Sequence, residues 1–423
     1  MAIYYIDVMN GKSENDGLSK KTPVADYKKI DIKSGDPVLF KRGSFIREKL
    51  WVCDGVTYAS YGEGKKPTFC GSINLTDKSL WKEESKNIWV CTSVNDEAAN
   101  FVFNNEDLCG TLRWTKEELA EQGDFYDDSF GTRDAKKQIH PNHKIYLYSV
   151  TNPAEYYSNI ECVVYGERNL ADNGCNLTFK DLRFINSGVH GIAGEAKTRN
   201  MKVINCDFEY IGGAVWNYEK KIRYGNAVEM WDVGENVEIR GCYFNDIYDS
   251  ATTQQGGNNC EQADKFIICD NVFIKCGMGA YEQRDRIPKY AEFNNNICID
   301  AGEGFSKLGE IMPRYSEIWP QPMGHHIFLW RIDAEKSGYL EIKDNIFYNA
   351  PYGAAIYSII AKESEDLTKL QNNIYYTENK ELINRWNGKN FVTFDEYKDV
   401  EPGCRFEKVD INNILKNWKE KHM

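Results

Sequence analysis

In the second half of the chain, apolar and polar positions recur in one arrangement: apolar-x-apolar-x-x-(Cys, Asn or Leu)-x-apolar. It fits LTFKDLRF from Leu177, MKVINCDF from Met201, VEIRGCYF from Val237, FIICDNVF from Phe266, AEFNNNIC from Ala291, LEIKDNIF from Leu340 and, more loosely, TKLQNNIY from Thr368. Successive starts lie 24, 36, 29, 25, 49 and 28 residues apart, so the unit is about 24 to 29 residues, lengthened by insertions in two coils. Each unit reads as a short strand, a turn and a second short strand. Period-two alternation buries one face of each strand, and no unit is large enough to bury that face alone, so successive units must stack. The sixth template position runs Leu182, Cys206, Cys242, Asn271, Asn296, Asn345, Asn373. A column that turns from Cys to Asn suits a ladder of side-chain amides bonded from coil to coil at a bend. The 3.6-residue spacing of helices is absent from the units. The pattern therefore predicts an all-β chain folded as a right-handed parallel β-helix.

Outside the repeat, YYIDVMNGKSENDGLSKKTPVADYKKI, GDPVLFKRGSFIRE and YASYGEGKKP resemble the opening coils of bacterial β-helix glycoside hydrolases and lyases of the pectin-lyase-like superfamily. Between Trp81 and about Gly166 the rhythm breaks. There GTLRWTKEELAEQGDFYDDS and HKIYLYSVTNPAEYYSNIECVVYG resemble the small β-sandwich-like domain inserted in β-xylosidase-like members. The resemblance spans roughly nine-tenths of the chain and implies three regions: amino-terminal coils over 1–80, an inserted β-domain over 81–166, and the main β-helix with a groove over 167–423. It bears on architecture more than on reaction.

Charge narrows the partners. With 52 basic and 64 acidic residues the formal charge is -12, which speaks against a dedicated nucleic-acid binder. Basic pairs such as Lys136-Lys137 and Lys220-Lys221 are scattered. No apolar run is long enough to span a bilayer, and no leader-like segment follows Met1, so the chain reads as unexported. A leader removed ahead of Met1-Ala2 would instead make it a secreted protein. The 13 cysteines show no zinc-type spacing, and several fall in strand interiors as small apolar fillers.

Candidate chemistry sits in GNAVEMWDVGENVEIRGCYF, from Gly225 to Phe244. Aligning what are read as second strands of successive units puts Glu229, Thr253 and Glu282 in one column. Trp231, Gln255 and Arg284 form the next, and Asp232, Gly256 and Asp285 a third. Taking Val228 and Met230 as inward, period two turns Glu229 and Glu282 outward, toward solvent. Two rungs of about 4.8 Å separate their backbones by roughly 9.6 Å. That suits the carboxyl spacing of inverting glycosidases, whereas Asp249, one coil from Glu229, would give the shorter retaining distance. Glu229, Asp249 and Glu282 are thus candidate acid/base residues. Trp231 and Trp216 offer flat rings for a sugar, and Asp232, Gln255, Arg284, Asp285, His190 and Arg331 are candidate substrate-binding residues. The insertions at 217–226, 256–264 and 306–325 are expected to rim the groove.

These residues and the resemblance point to a glycoside hydrolase acting, in exo mode, on a plant-cell-wall or host-glycan oligosaccharide, without cofactor. A calcium-dependent polysaccharide lyase or an epimerase on uronate polymers is the alternative: Glu229, Asp232, Glu282 and Asp285 would hold the ion and Arg284 or Arg331 would abstract the proton. A non-catalytic glycan-binding β-helix is the third reading.

Overall fold

The structure is a computed structural model that describes residues 2–130, 142–194, 198–231, 234–255, 262–307, 324–360, 367–378, 383–386 and 389–422. All seven template matches fold as stacked coils. The first half of each lies in one sheet, ordered Tyr4–Ile6, Pro37–Lys41, Thr57–Tyr61, Thr178–Lys180, Lys202–Ile204, Val237–Arg240, Lys265–Cys269, Tyr290–Asn294, Tyr339–Lys343, Thr368–Gln371. The second half lies in another sheet, which runs through Arg183–Ser187, Asp207–Ile211, Tyr243–Ile247 and Val272–Cys276 to Ile374–Tyr376 and Arg405–Phe406. Both are parallel throughout, as a solenoid requires.

The bend between the two sheets has a local cause. Its residue, the fifth of the template, is Asp181, Asn205, Gly241, Asp270, Asn295, Asp344 or Asn372, and each has φ between 52° and 62°. Asn, Asp and Gly are the residues that take this left-handed conformation at least cost. The next position then points inward and builds the expected ladder. Asn271 Nδ2 donates to Asn296 Oδ1 at 3.1 Å, Asn296 to Asn345 at 3.1 Å, and Asn345 to Asn373 at 2.9 Å; Asn373 caps the run on Glu401 at 2.9 Å. The eighth position stacks Phe184, Phe208, Phe244 and Phe273 with centroids 5.3, 5.0 and 4.8 Å apart, so the core is continuous from coil to coil.

The unit is larger than the sequence suggested. Each coil has a third strand, and these form a third sheet: Asn169–Asp172, His190–Ala193, Val228–Met230, Ser250–Gln255, Gly279–Arg284, Ile327–Ile332, Ile356–Ile360 and Asn384–Trp386 in parallel, with Lys389–Phe391 antiparallel at the end. The segment aligned as a second strand belongs here. Its strands share no common pattern: SATTQQ is polar yet buried at every position, whereas IFLWRI is almost wholly apolar.

Between the amino-terminal coils and Asn169, two further sheets form. One joins Leu108–Cys109, Ala98–Phe103, Ile160–Val164 and Ser72–Asn74; the other joins Thr111–Leu112, Asp124–Asp127, Ile145–Tyr148, Ile88–Cys91 and Lys82–Ser85. They share a core in which Phe101 of the first meets Phe125 of the second at 5.1 Å. Arg47 pairs with Glu161 at 2.7 Å, and Arg183 bridges Glu209 of the coils at 2.7 Å and Glu106 at 2.5 Å, which anchors these sheets to the solenoid. The carboxy-terminal helix Ile411–His422 was not anticipated. Trp418 packs on Val272, Ile297 and Ile299 of the second sheet and donates its indole N–H to Asp270 O at 2.8 Å. None of the described helices is long and apolar enough to cross a membrane.

Candidate active site

The third sheet carries the register expected for the acids. Glu229 pairs with Thr253, and Thr253 with Glu282. Val228 and Met230 belong to the solenoid core, as does Tyr281, so both glutamates project from the outer wall. They do not, however, point to solvent. Glu229 is 4% exposed and Glu282 0%, because other segments build a cavity of about 480 Å³ over them. The hairpin Ala214–Asn217 with Ile222–Tyr224 raises one wall, adding Trp216, Ile222 and Tyr224; Tyr165 and Arg168, at the exit from the two small sheets, extend it. Tyr165 and Tyr224 are joined through their hydroxyls at 2.8 Å. Met278, Phe328 and Trp330 close the opposite side.

Nine of the eleven residues singled out by sequence line this cavity: Glu229, Asp249, Glu282, Trp231, Gln255, Arg284, Trp216, His190 and Arg331. Trp216 and Trp231 are 62% and 55% exposed and stand at its mouth. Gln255 pairs with Arg284, and Arg284 with Trp330, continuing the second column. Asp285 does not line the cavity. It ends its strand with φ 61° and meets Arg331 at 3.6 Å instead, because the left-handed residue turns the chain away. Asp232 lies outside the described residues, as do most of 256–264 and 306–325. His325 and His326 are buried away from the cavity; His325 Nδ1 accepts from Ala354 N at 2.9 Å, and burial pushes His326 down to about 3. The sequence reading missed Tyr165, Arg168, Tyr224, Asn226, Met278, Phe328 and Trp330. Asn226 alone left a signal, being three residues from Glu229 at the strand entry.

Glu229 is held from two sides. His190 Nδ1 lies 2.7 Å from its Oε2 and 3.1 Å from the backbone N of Asn226. A single imidazole nitrogen cannot donate to a carboxylate and accept from an amide at once, and the shorter, charge-assisted contact places the proton toward Glu229. The Asn226 side chain supplies a second bond to Glu229. Asn226 Oδ1 takes the backbone N–H of Ser250 at 2.9 Å, which turns its NH₂ to the carboxylate. Burial works to raise the Glu229 pKa, but His190, Asn226 and the more distant Arg284 outweigh it, and the group lies below the usual carboxylate range.

Glu282 is displaced the other way. Burial is the largest influence and lifts its pKa; the neighbouring Asp249 charge adds to this, while Arg284 and Ser250 pull against it. Arg284 Nε binds Oε1, and Ser250 Oγ donates to Oε2 at 3.0 Å. Two carboxyl groups on one wall whose pKa values are displaced in opposite directions are an arrangement that acid/base catalysis can use.

No protein-family model matches the chain, and no curated protein is similar to it in sequence. Among solved structures it is similar to a complex of XylC with xylose, with TM-score 0.53 and 13% identity over 96% of this chain and 68% of that one. It is also similar to a structure described as a glycoside hydrolase, with TM-score 0.52 and 9% identity over 96% of each chain. At such identity the likeness is one of fold, and it agrees with the three parallel sheets: the chain is a right-handed parallel β-helix.

Proposed function

We propose that the chain is a glycoside hydrolase that cleaves a neutral oligosaccharide from one end by two-carboxylate catalysis. The observation that carries this reading is the placement of Glu229 and Glu282 two rungs apart on the cavity floor with opposed pKa displacements. Protonated Glu282 gives its proton to the departing glycosidic oxygen. Ionised Glu229 takes a proton from the water that attacks the anomeric carbon. The backbone separation of about 9.6 Å leaves room for that water, and the expected outcome is inversion. Asp249, whose charge acts on Glu282, helps to keep the acid protonated. Trp231 and Trp216 offer stacking faces at the mouth, and the hairpin wall favours an end of the saccharide over its middle. A structure of the same fold holds xylose, which makes xylo-oligosaccharides the first substrates to try.

The lyase reading draws on the guanidinium groups of Arg168, Arg284 and Arg331 around the cavity, which suit a uronate. It has weaker support on two counts. Burial alone would lower the Arg284 pKa, but the surrounding acids raise that of the guanidinium further, so it is poorly suited to take a proton. The acids proposed for calcium are engaged separately, Glu229 with His190, Glu282 with Arg284 and Asp285 with Arg331.

The test is turnover on a panel of oligosaccharides and pectic polymers. Glu229→Gln and Glu282→Gln should each lower kcat by at least about a hundredfold, with Asp249→Asn less affected. Turnover that survives both glutamate substitutions rejects this site. Unsaturated uronate products that appear only with calcium would favour the lyase, and binding without products the glycan-binding module.

A further inference from the structure

We propose that the binding surface continues from the cavity toward the amino-terminal coils, where Trp51, Lys49, Asp172 and Asn169 form a distal subsite for the remainder of a neutral saccharide chain. This rests on the hydrolase reading above.

The register supplies the path. Leu50 bridges Ala171, Ala171 pairs with Ile192, and Ile192 with Val228; all four belong to the inward core column. One residue further along each strand, the outward column runs Trp51, Asp172, Ala193, Glu229. Trp51 therefore stands three rungs, about 14 Å, from Glu229 on the same wall.

Trp51 is 47% exposed. A lone exposed indole would carry little weight, but this one is held in a built setting. The Lys49 ammonium sits 4.9 Å from the ring centroid and 2.9 Å from Asp172 Oδ1, with its side chain only 9% exposed. Asn169 Nδ2 donates to the same Asp172 oxygen at 2.8 Å. The result is a flat ring fixed by a cation, beside a carboxylate and an amide. That combination of apolar platform and hydrogen-bonding groups suits a sugar ring and its hydroxyls. The Lys49–Asp172 pair brings no net charge, which favours a neutral sugar. A second cavity of about 210 Å³ flanks this stretch and is lined by Lys49, Asn169 and Tyr165. Tyr165 also lines the main cavity, so one side chain borders both.

The experiment is calorimetric titration of the Glu229→Gln protein with xylo-oligosaccharides from xylobiose to xylohexaose. Affinity should rise with length, and adding Trp51→Ala should remove that rise, weakening the longest oligomer by roughly tenfold. Trp51→Phe should restore part of it. Both variants should melt like the parent, since the anchoring bond from Trp51 N to Tyr27 Oη is a backbone one. A length dependence that survives Trp51→Ala overturns the distal subsite and leaves the hydrolase reading standing. Failure of the parent to bind any of the oligomers overturns the distal subsite as one for xylo-oligosaccharides, whereas the hydrolase reading falls only if the wild type turns over nothing on the oligosaccharide panel.

Discussion

Ser250 donates its backbone N–H to the side-chain oxygen of Asn226 at 2.9 Å, and in doing so couples the two glutamates. Asn226, so oriented, bonds Glu229, while the Ser250 hydroxyl bonds Glu282. Both linking residues are buried. Ser250 and Asn226 are thus positioning residues that act on both members of the proposed pair.

Removing them should move opposite limbs of the pH profile. Asn226 stabilises the charged form of Glu229, so Asn226→Ala raises that pKa, and the acidic limb of kcat/KM shifts to higher pH. The Ser250 hydroxyl stabilises charged Glu282, so Ser250→Ala raises the pKa of the acid, and the alkaline limb moves up. Ser250→Thr, which keeps the hydroxyl, should behave like the parent. The check is kcat/KM against pH on a cleaved oligosaccharide; parallel shifts of both limbs in either variant would show that the roles are assigned wrongly.

Arg223 should matter to binding more than to chemistry. Its buried guanidinium donates to Gly213 O at 2.7 Å and to Ala99 O at 3.0 Å and lies 4.5 Å from the Tyr248 ring centroid. It thereby ties the hairpin that carries Trp216 and Tyr224 to the small sheets. Arg223→Met should raise KM several-fold with a smaller change in kcat, because the wall moves and the acids do not. Steady-state kinetics separates the two.

The amide ladder should be a principal determinant of stability. Asn296 accepts from the backbone and side chain of Asn271 and donates to Ile268 O and Asn345 Oδ1, all between 2.9 and 3.1 Å. Asn296→Ala leaves these buried groups unsatisfied and should cost about 3 kcal/mol or more. An exposed change such as Lys369→Ala on the first sheet should cost under about 0.5 kcal/mol. Urea unfolding of both variants measures the difference.

Asp246 should make the fold less stable as pH rises through weak acidity. Burial raises its carboxyl from 3.8 to about 6, against the pull of Lys275 and the Phe305 backbone N–H. Between these values the folded state holds a proton that the unfolded chain has released, so stability falls as pH climbs from about 4 to about 6. The contribution is on the order of 3 kcal/mol. Asp246→Asn should abolish that part of the fall and melt higher at neutral pH than the parent, as scanning calorimetry across the range would record.

The parts of the molecule that repeat were legible in the chain. A bend that only Asn, Asp or Gly takes easily, followed by an inward Leu, Cys or Asn and two residues later, in all matches but one, an aromatic, recurs because each coil meets the same neighbours above and below. Period two then determined that Glu229 and Glu282 share a wall and that Val228 and Met230 face away from it. What the pattern could not carry was anything contributed from a distance. Part of the third sheet was read as second strands, and its separate standing escaped notice because its strands share no pattern, SATTQQ being polar and IFLWRI apolar. The contact of Glu229 with His190 joins successive coils, but its companions Tyr165 and Tyr224 arrive from the small sheets and from a hairpin, where no period applies. The sequence by itself therefore determined the solenoid and the column of acids, since stacking makes register a local property. Only the tertiary structure decided that the acids are buried, that one favours charge and the other a proton, and that Asp285 stands aside, because desolvation and the direction of a side chain depend on everything packed around it.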